Sequence, residues 1–281
     1  KIPWRVRMNG KRSPFKRAKN LMVLQERDKK ILALCHDYHF LSLNQIRLLL
    51  DFGSQTRANT RLRKLFDNGY LSRRFLPVVQ GRANILCFLG SKGVELISEK
   101  SGIDPLKIKQ KRKQLLEIKN LSLPHYLLIN EFRLAFFLAS RNKPEIILKS
   151  WKTQKEIPLR LEEREFYPDA YFVYSYRNKF YSAFLEIDRS TETNKRFQGK
   201  VENYLKYGLD GYYRRQFGFQ FFRVLVVCQT QARLRSLKKL IGQKTDKVFW
   251  LAVQGDISPE KILGKIWQRP ANDSLFSFLE D

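Results

Sequence analysis

Residues 166–191 read FYPDAYFVYSYRNKFYSAFLEIDRST. Two aromatic-rich strands are predicted within this stretch, PDAYFVYSY and KFYSAFLEID. Pro168-Asp169 stands at the head of the first, and Glu186-Ile187-Asp188 lies inside the second. Side chains alternate along a strand, so Glu186 and Asp188 share a face and both are placed to face Asp169. Three carboxylates that converge repel one another and lose hydration, so the stretch calls for a cation.

Working outward, PHYLLINEFRLAFFLASR predicts a long amphipathic helix and EIILKSWK a strand ahead of the pair. A helix from about Glu192 to Gly208 follows, then the strand FFRVLVVC, the helix QARLRSLKKLIGQ, the strand KVFWLAV and a helix beginning at Ser258-Pro259. The order over residues 124–281 is αβββαβ with αβα appended, which makes a mixed sheet flanked by helices.

The N-terminal part has a different pattern. Residues 1–25 form a basic arm whose first 20 residues contain no acid. A first helix begins at Glu26 with Ile31, Leu32, Leu34, Cys35, Tyr38 and His39 on one face. Ser42 is placed to cap a second helix that Gly53 stops, and Ser54 to cap a third that closes at Asn68-Gly69. YLSRRFLPVV and NILCFLG flank the turn QGRA, a hairpin signal, and SKGVELISEK starts another helix. Three helices, a hairpin and a helix over residues 26–100 predict a winged helix-turn-helix, and the polar residues 101–123 a linker that is partly helical.

With 281 residues, the chain is long enough for two such domains. Lys and Arg number 54 against 27 Asp and Glu, a net charge of +27, which points to a polyanionic partner. Hydrophobic residues make up 43% and aromatic residues 13%, so the chain folds. No run of 18 apolar residues and no lipidation signal is present, so nucleic acid is favoured over a membrane. Cys35, Cys87 and Cys228 are widely spaced and odd in number, which argues for a reducing cytoplasm. The chain starts at Lys1 and not Met, which leaves room for a preceding segment. Charge is concentrated early: residues 1–123 hold 27 basic and 9 acidic residues.

Double-stranded DNA is therefore the expected ligand of the first domain. On the third helix Arg57, Asn59, Arg61, Arg63 and Lys64 are predicted outward, able to reach base edges or phosphates in the major groove. Arg73, Arg74 and Arg82 on the hairpin are placed to touch the backbone or minor groove. The alternative for the same domain is protein contact.

Pro-Asp on one strand and Glu-x-acid on the next, in the αβββαβ order, resembles the PD-(D/E)xK nuclease superfamily. The resemblance implies a restriction-endonuclease-like domain in which Asp169, Glu186 and Asp188 hold Mg²⁺ or Mn²⁺ to activate water. Glu131, on the preceding helix, stands where some members place a further ligand. Asp188 departs from the pattern by occupying the place of the usual lysine. Lys200, in GKVENYLKY, is the candidate replacement, with Tyr204 one turn along the same helix face. The opposite reading keeps the fold as a platform that does not cut, its Glu186 and Asp188 paired to Arg189, Lys195 or Lys200.

The predicted winged helix followed by LPHYLLINEF, YPDAYFVY, FLEIDRSTET, KVENYLKY and RVLVVCQTQARLRSL resembles the replication-relaxation family of plasmids and other mobile elements, from about Glu26 to Leu240. The resemblance implies DNA binding in plasmid replication and in relaxation of supercoiled DNA, with other replication or mobilisation proteins, or a second copy, as partners. A metal-dependent nickase or endonuclease and a transcriptional regulator are the alternatives.

Lesser candidates have plainer readings. Cys35 and His39 have a zinc-like spacing but no further ligands in view, so they are expected in the core. His125 is expected at a helix end. Ser190 or Thr191 is expected to cap the next helix. Three scattered histidines do not supply the metal cluster that a phosphotyrosine relaxase needs.

Overall fold

The computed structural model describes residues 22–75, 85–119 and 122–280. The basic arm up to residue 21, and Arg82 with its QGRA turn, lie outside the described residues. The chain divides into two compact units, Lys1–Leu121 and Ser122–Asp281.

The first unit runs α1 (Glu26–Tyr38), β1 (Leu41–Ser42), α2 (Leu43–Leu49), α3 (Gln55–Asp67), β2 (Leu71–Phe75), β3 (Ile85–Leu89), α4 (Ser91–Ser101) and α5 (Pro105–Glu117). Its strands form an antiparallel sheet in the order β1-β3-β2. Capping is local chemistry: the Ser42 hydroxyl accepts from the Gln45 N–H at 3.2 Å while the Gln45 side chain accepts from the Ser42 N–H at 2.9 Å. Ser54 caps α3 through the Arg57 N–H. Gly90 and Gly93 are demanded by close approach, because a Cβ at either would collide with the carbonyl oxygen of Gly69 or Tyr70.

Within residues 101–123, expected to be partly helical, the helix spans residues 105–117. It is α5, opened by Asp104, whose carboxylate accepts from the Leu106 N–H at 2.8 Å, and by Pro105. Ile108 is buried, and Arg112 donates to the Leu89 carbonyl at 2.9 Å and to the Ser72 hydroxyl at 3.2 Å. Arg74 donates to the Leu115 and Ile118 carbonyls at 3.2 and 2.5 Å, satisfying acceptors that the end of a helix leaves open. A polar sequence became a packed helix because two guanidinium groups hold it to the β2–β3 pair.

The second unit runs α6 (Leu123–Ser140), β4 (Ile146–Thr153), β5 (Leu159–Leu161), β6 (Arg164–Phe166), β7 (Ala170–Tyr176), β8 (Lys179–Asp188), α7 (Asn194–Leu209), α8 (Tyr212–Phe217), β9 (Arg223–Cys228), α9 (Gln231–Gly242), β10 (Phe249–Val253), β11 (Trp267–Arg269) and β12 (Asn272–Phe276). Seven strands make one mixed sheet, β12-β11-β10-β9-β8-β7-β4, in which β8, β9 and β10 are parallel neighbours. β5 and β6 form a separate ribbon. Arg177 and Asn178, both at positive φ, make the two-residue turn between β7 and β8.

Alternation along β8 sends Ala183, Leu185 and Ile187 into a core with Phe132 and Phe136 of α6, Trp267 and Phe278. Phe184 faces the opposite core, with Tyr204 of α7, Tyr213 of α8 and Leu237 of α9. VLVVC of β9 is buried throughout, as expected of a strand covered on both faces. The helix expected at Ser258-Pro259 does not form. That segment makes turns, and β11 then returns antiparallel to β10, with Leu251 opposite Gln268. No helix among the described residues is long and apolar enough to cross a membrane.

Candidate functional site

Asp169 and Glu186 meet because of strand register. Ala170 pairs with Leu185, so Asp169, one residue earlier, lies opposite Glu186 and on the same face. All three expected carboxylates are buried. Each is neutralised by different protein donors.

Glu186 lies between two residues of α7. The Lys200 ammonium donates to Oε2 at 2.9 Å, and the Tyr204 hydroxyl to Oε1 at 2.7 Å. Lys200 therefore points into the acidic centre, and it also pairs with Glu192 at 3.1 Å. Residues 200 and 204 sit one turn apart, which lets one helix face serve both oxygens. Burial raises the Glu186 pKa, Lys200 opposes the rise, and the nearby Asp169 charge adds to it. Burial would lower the Lys200 pKa, but the charges of Glu186 and Asp169 reverse this and raise it, so Lys200 stays cationic. The Tyr204 hydroxyl is pushed well above its ordinary value by burial and by Glu186, so it acts as a donor.

Asp169 accepts from the Ile187 N–H at 2.7 Å through Oδ2, while Oδ1 lies 2.9 Å from His125 Nε2 at the start of α6. Burial by itself would lower the His125 pKa. The hydrogen bond and charge of Asp169, with Glu186 behind it, reverse the sign and leave it raised.

Asp188 is withdrawn from the other two. Arg233, in the first turn of α9, grips both its oxygens at 2.9 and 2.8 Å and also donates to the Glu192 carbonyl at 2.9 Å and the Asn194 side chain at 2.6 Å. This fork matches a carboxylate's planar geometry. The Ser190 N–H donates to Asp188 Oδ1 at 2.8 Å, with Ser190 at positive φ, and Thr193, instead of Ser190 or Thr191, caps α7.

Such an arrangement does not fit an ion held by Asp169, Glu186 and Asp188 together. Their six oxygens all accept from protein donors, and among the described residues no three His, Cys, Asp or Glu side chains form a group that could hold a metal ion. Glu131 is exposed and joins none of these contacts. Cys35 is buried in the first unit with its thiol pKa raised by burial, and His39 Nδ1 lies 2.9 Å from the His36 carbonyl.

On α3 the expected basic row is narrower than predicted. Arg57, Asn59, Arg63 and Lys64 are exposed. Arg61 is engaged within the unit: its Nε donates to Asp28 Oδ1 at 2.5 Å, its Nη2 to Oδ2, and its guanidinium also reaches the Val23 carbonyl. Asp28 is fully buried in α1, so Arg61 is its counter-charge and is turned away from the outward row. Arg73 stacks its guanidinium 4.5 Å over the Phe66 ring, and burial lowers its pKa. Arg74 holds α5.

The sequence reading missed Arg233 and Glu192, and it preferred a helix-end role for His125 over a place near the acidic site, where the structure puts it. One signal was available. Asp188 pairs with Cys228 at the carboxyl ends of parallel strands, and Thr230, two residues after Cys228, caps the next helix. In parallel sheets such helix starts gather over neighbouring strand ends.

A family model described as replication-relaxation matches residues 32–220, about two thirds of the chain. No curated protein and no solved structure matches it.

Proposed function

The chain belongs to the replication-relaxation family, and from that premise we propose that it binds duplex DNA through the outer face of α3 and acts in the replication or relaxation of a plasmid or other mobile element. The observation that carries the reading is the exposed set Arg57, Asn59, Arg63 and Lys64 on a helix with no acid from Ser54 to Phe66. We read the first unit as a winged helix-turn-helix, with α3 as the groove-reading helix and the β2–β3 pair as the base of the wing. The second unit, whose α6, β4, β7, β8, α7 and β9 follow the expected core order, is read as a nuclease-like platform. Electrostatic binding of this kind predicts a steep loss of affinity with salt. Arg57→Ala with Arg63→Ala should flatten the log–log slope by about 0.9 for each phosphate contact removed. Salt-insensitive binding, or none, would remove the assignment.

The second reading is a DNA nickase, for which Lys200 stands beside Glu186 but in which the acids would have to give up protein donors to hold a metal ion. Supercoiled plasmid incubated with the protein and Mg²⁺ or Mn²⁺, beside Asp169→Asn and Lys200→Met, tests it. Absence of nicked product at any protein excess ends that reading and leaves the first intact.

A further inference from the structure

One line of side chains on α3 belongs neither to the core nor to the cations. Ala58, Leu62 and Leu65 set the buried direction of the helix. At about 100° per residue, Thr56 and Thr60 stand one turn apart and within about 30° of the opposite direction. Thr56 is exposed and Thr60 half-buried. Arg57 and Lys64 form a rail on one side of this line, and Asn59 and Arg63 a rail on the other, all four exposed.

The rails border different neighbours. Arg61 lies beside Arg57 and Lys64 and is held by Asp28, so the first rail borders α1. Phe66, one turn from Arg63 on its side of the helix, carries the Arg73 guanidinium 4.5 Å over its ring, so the second rail borders β2. No acid falls between residues 55 and 66. Of the acids that flank the helix in the chain, Asp51 precedes it and is exposed. Asp67 continues the threonine line about 10 Å beyond Thr60, where its charge supports that of Arg73.

A major groove is about 12 Å wide, and a helix with its side chains is about 10–12 Å across. A helix that enters the groove therefore brings its outermost line to the base edges and its flanks to the two phosphate walls. Long cationic flanks with a short neutral centre match that cross-section. Threonine lets the groove floor approach closely, its methyl packs on the C5 methyl of thymine, and its hydroxyl bonds to base edges. An arginine on the centre line would single out guanine instead.

Resting on the reading of α3 as the groove-entering helix, we infer that Thr56 and Thr60 read the bases and select thymine through its methyl group, while Arg57, Arg63 and Lys64 grip phosphates on either side. The two threonines lie about 6 Å apart along the helix axis, close to two base-pair steps of about 3.4 Å. The ligand is thus a duplex with thymine at a defined place under the N-terminal half of α3, and not duplex DNA at large.

The test uses the full chain and a library of duplexes randomised over about 20 base pairs, roughly two helical turns. Selection should enrich a motif that contains thymine. Deoxyuridine in place of those thymines removes only the methyl groups and should weaken native binding roughly fivefold or more. Thr56→Ser with Thr60→Ser should lose the same factor on the thymine duplex and nothing on the uracil duplex, and Thr56→Val with Thr60→Val should keep the preference. Arg57→Ala and Arg63→Ala should weaken binding to the enriched and random duplexes by one common factor. Duplex binding without enrichment, a serine double variant that still prefers thymine to uracil, or a motif that changes with Arg63→Ala overturns the role of the threonines and leaves duplex binding in place. Absence of binding to any duplex removes the reading of α3 itself, and this inference with it.

Discussion

Arg61 and Arg63 stand two residues apart on α3, and the structure gives them opposite jobs. Arg61→Ala strands the Asp28 carboxylate, which is 0% exposed. Removing one partner of a buried ion pair costs about 3–5 kcal/mol, because the remaining charge stays desolvated. Asp28 also accepts from the Gln25 N–H at 2.7 Å, so the first turn of α1 loosens with it. In a unit of about 100 residues each kcal/mol moves Tm by about 4–8 °C. The first unit should therefore melt at least about 12 °C lower. Far-UV circular dichroism on the full chain reads that transition. Three of the four tryptophans, Trp151, Trp250 and Trp267, lie in the second unit, so the larger part of the tryptophan fluorescence should keep its original midpoint. Replacing the pair together, Asp28→Leu with Arg61→Met, should recover most of the loss, since an apolar pair of similar volume needs no counter-charge. Arg63→Ala should leave Tm unchanged, within about 0.5 kcal/mol for an exposed site, and weaken duplex binding. An Arg61→Ala protein that melts normally but binds DNA poorly would refute the division of roles.

Arg233→Ala exposes the same physics in the second unit. It leaves Asp188, whose side chain is 1% exposed, without its fork, and should cost about 3–5 kcal/mol, seen as an earlier tryptophan-fluorescence transition. Tyr204→Phe deletes the 2.7 Å donor to Glu186; a bond to a charged group contributes about 1.5–3 kcal/mol, and urea unfolding should show a loss of that order. The His125 pKa is raised above its ordinary 6.5, so its contribution to stability is complete below the unfolded value of about 6.5 and is lost as pH rises through the folded value. Proton NMR should find His125 titrating above 6.5 in the native chain and lower in Asp169→Asn, where burial and Lys200 are opposed by Glu186 alone; an unchanged midpoint would show that Asp169 is not the cause.

Local chemistry made much of this protein legible. Ser42 and Ser54 announce helix starts because their hydroxyls satisfy N–H groups within three residues. Strands β7 and β8 follow from the alternation of aromatic residues, and Lys200 with Tyr204 from one turn of helix. What periodicity marks is a face, not what stands across from it. Asp188 meets Arg233 across 45 residues, Asp169 meets His125 across 44, and Asp28 meets Arg61 across 33. Those partners were chosen by sheet order and helix packing, and none was named along the chain: Arg233 grips Asp188, and Arg61 is the counter-charge of Asp28. Polar residues 105–117 likewise became a packed helix only because Arg74 and Arg112 found its carbonyls and its neighbours. The sequence by itself determined the elements and the sign of the charge, since both depend on neighbours along the chain. Only the tertiary structure decided which charges neutralise each other and which face solvent, because a buried ion must pair with whatever the fold brings within about 3 Å.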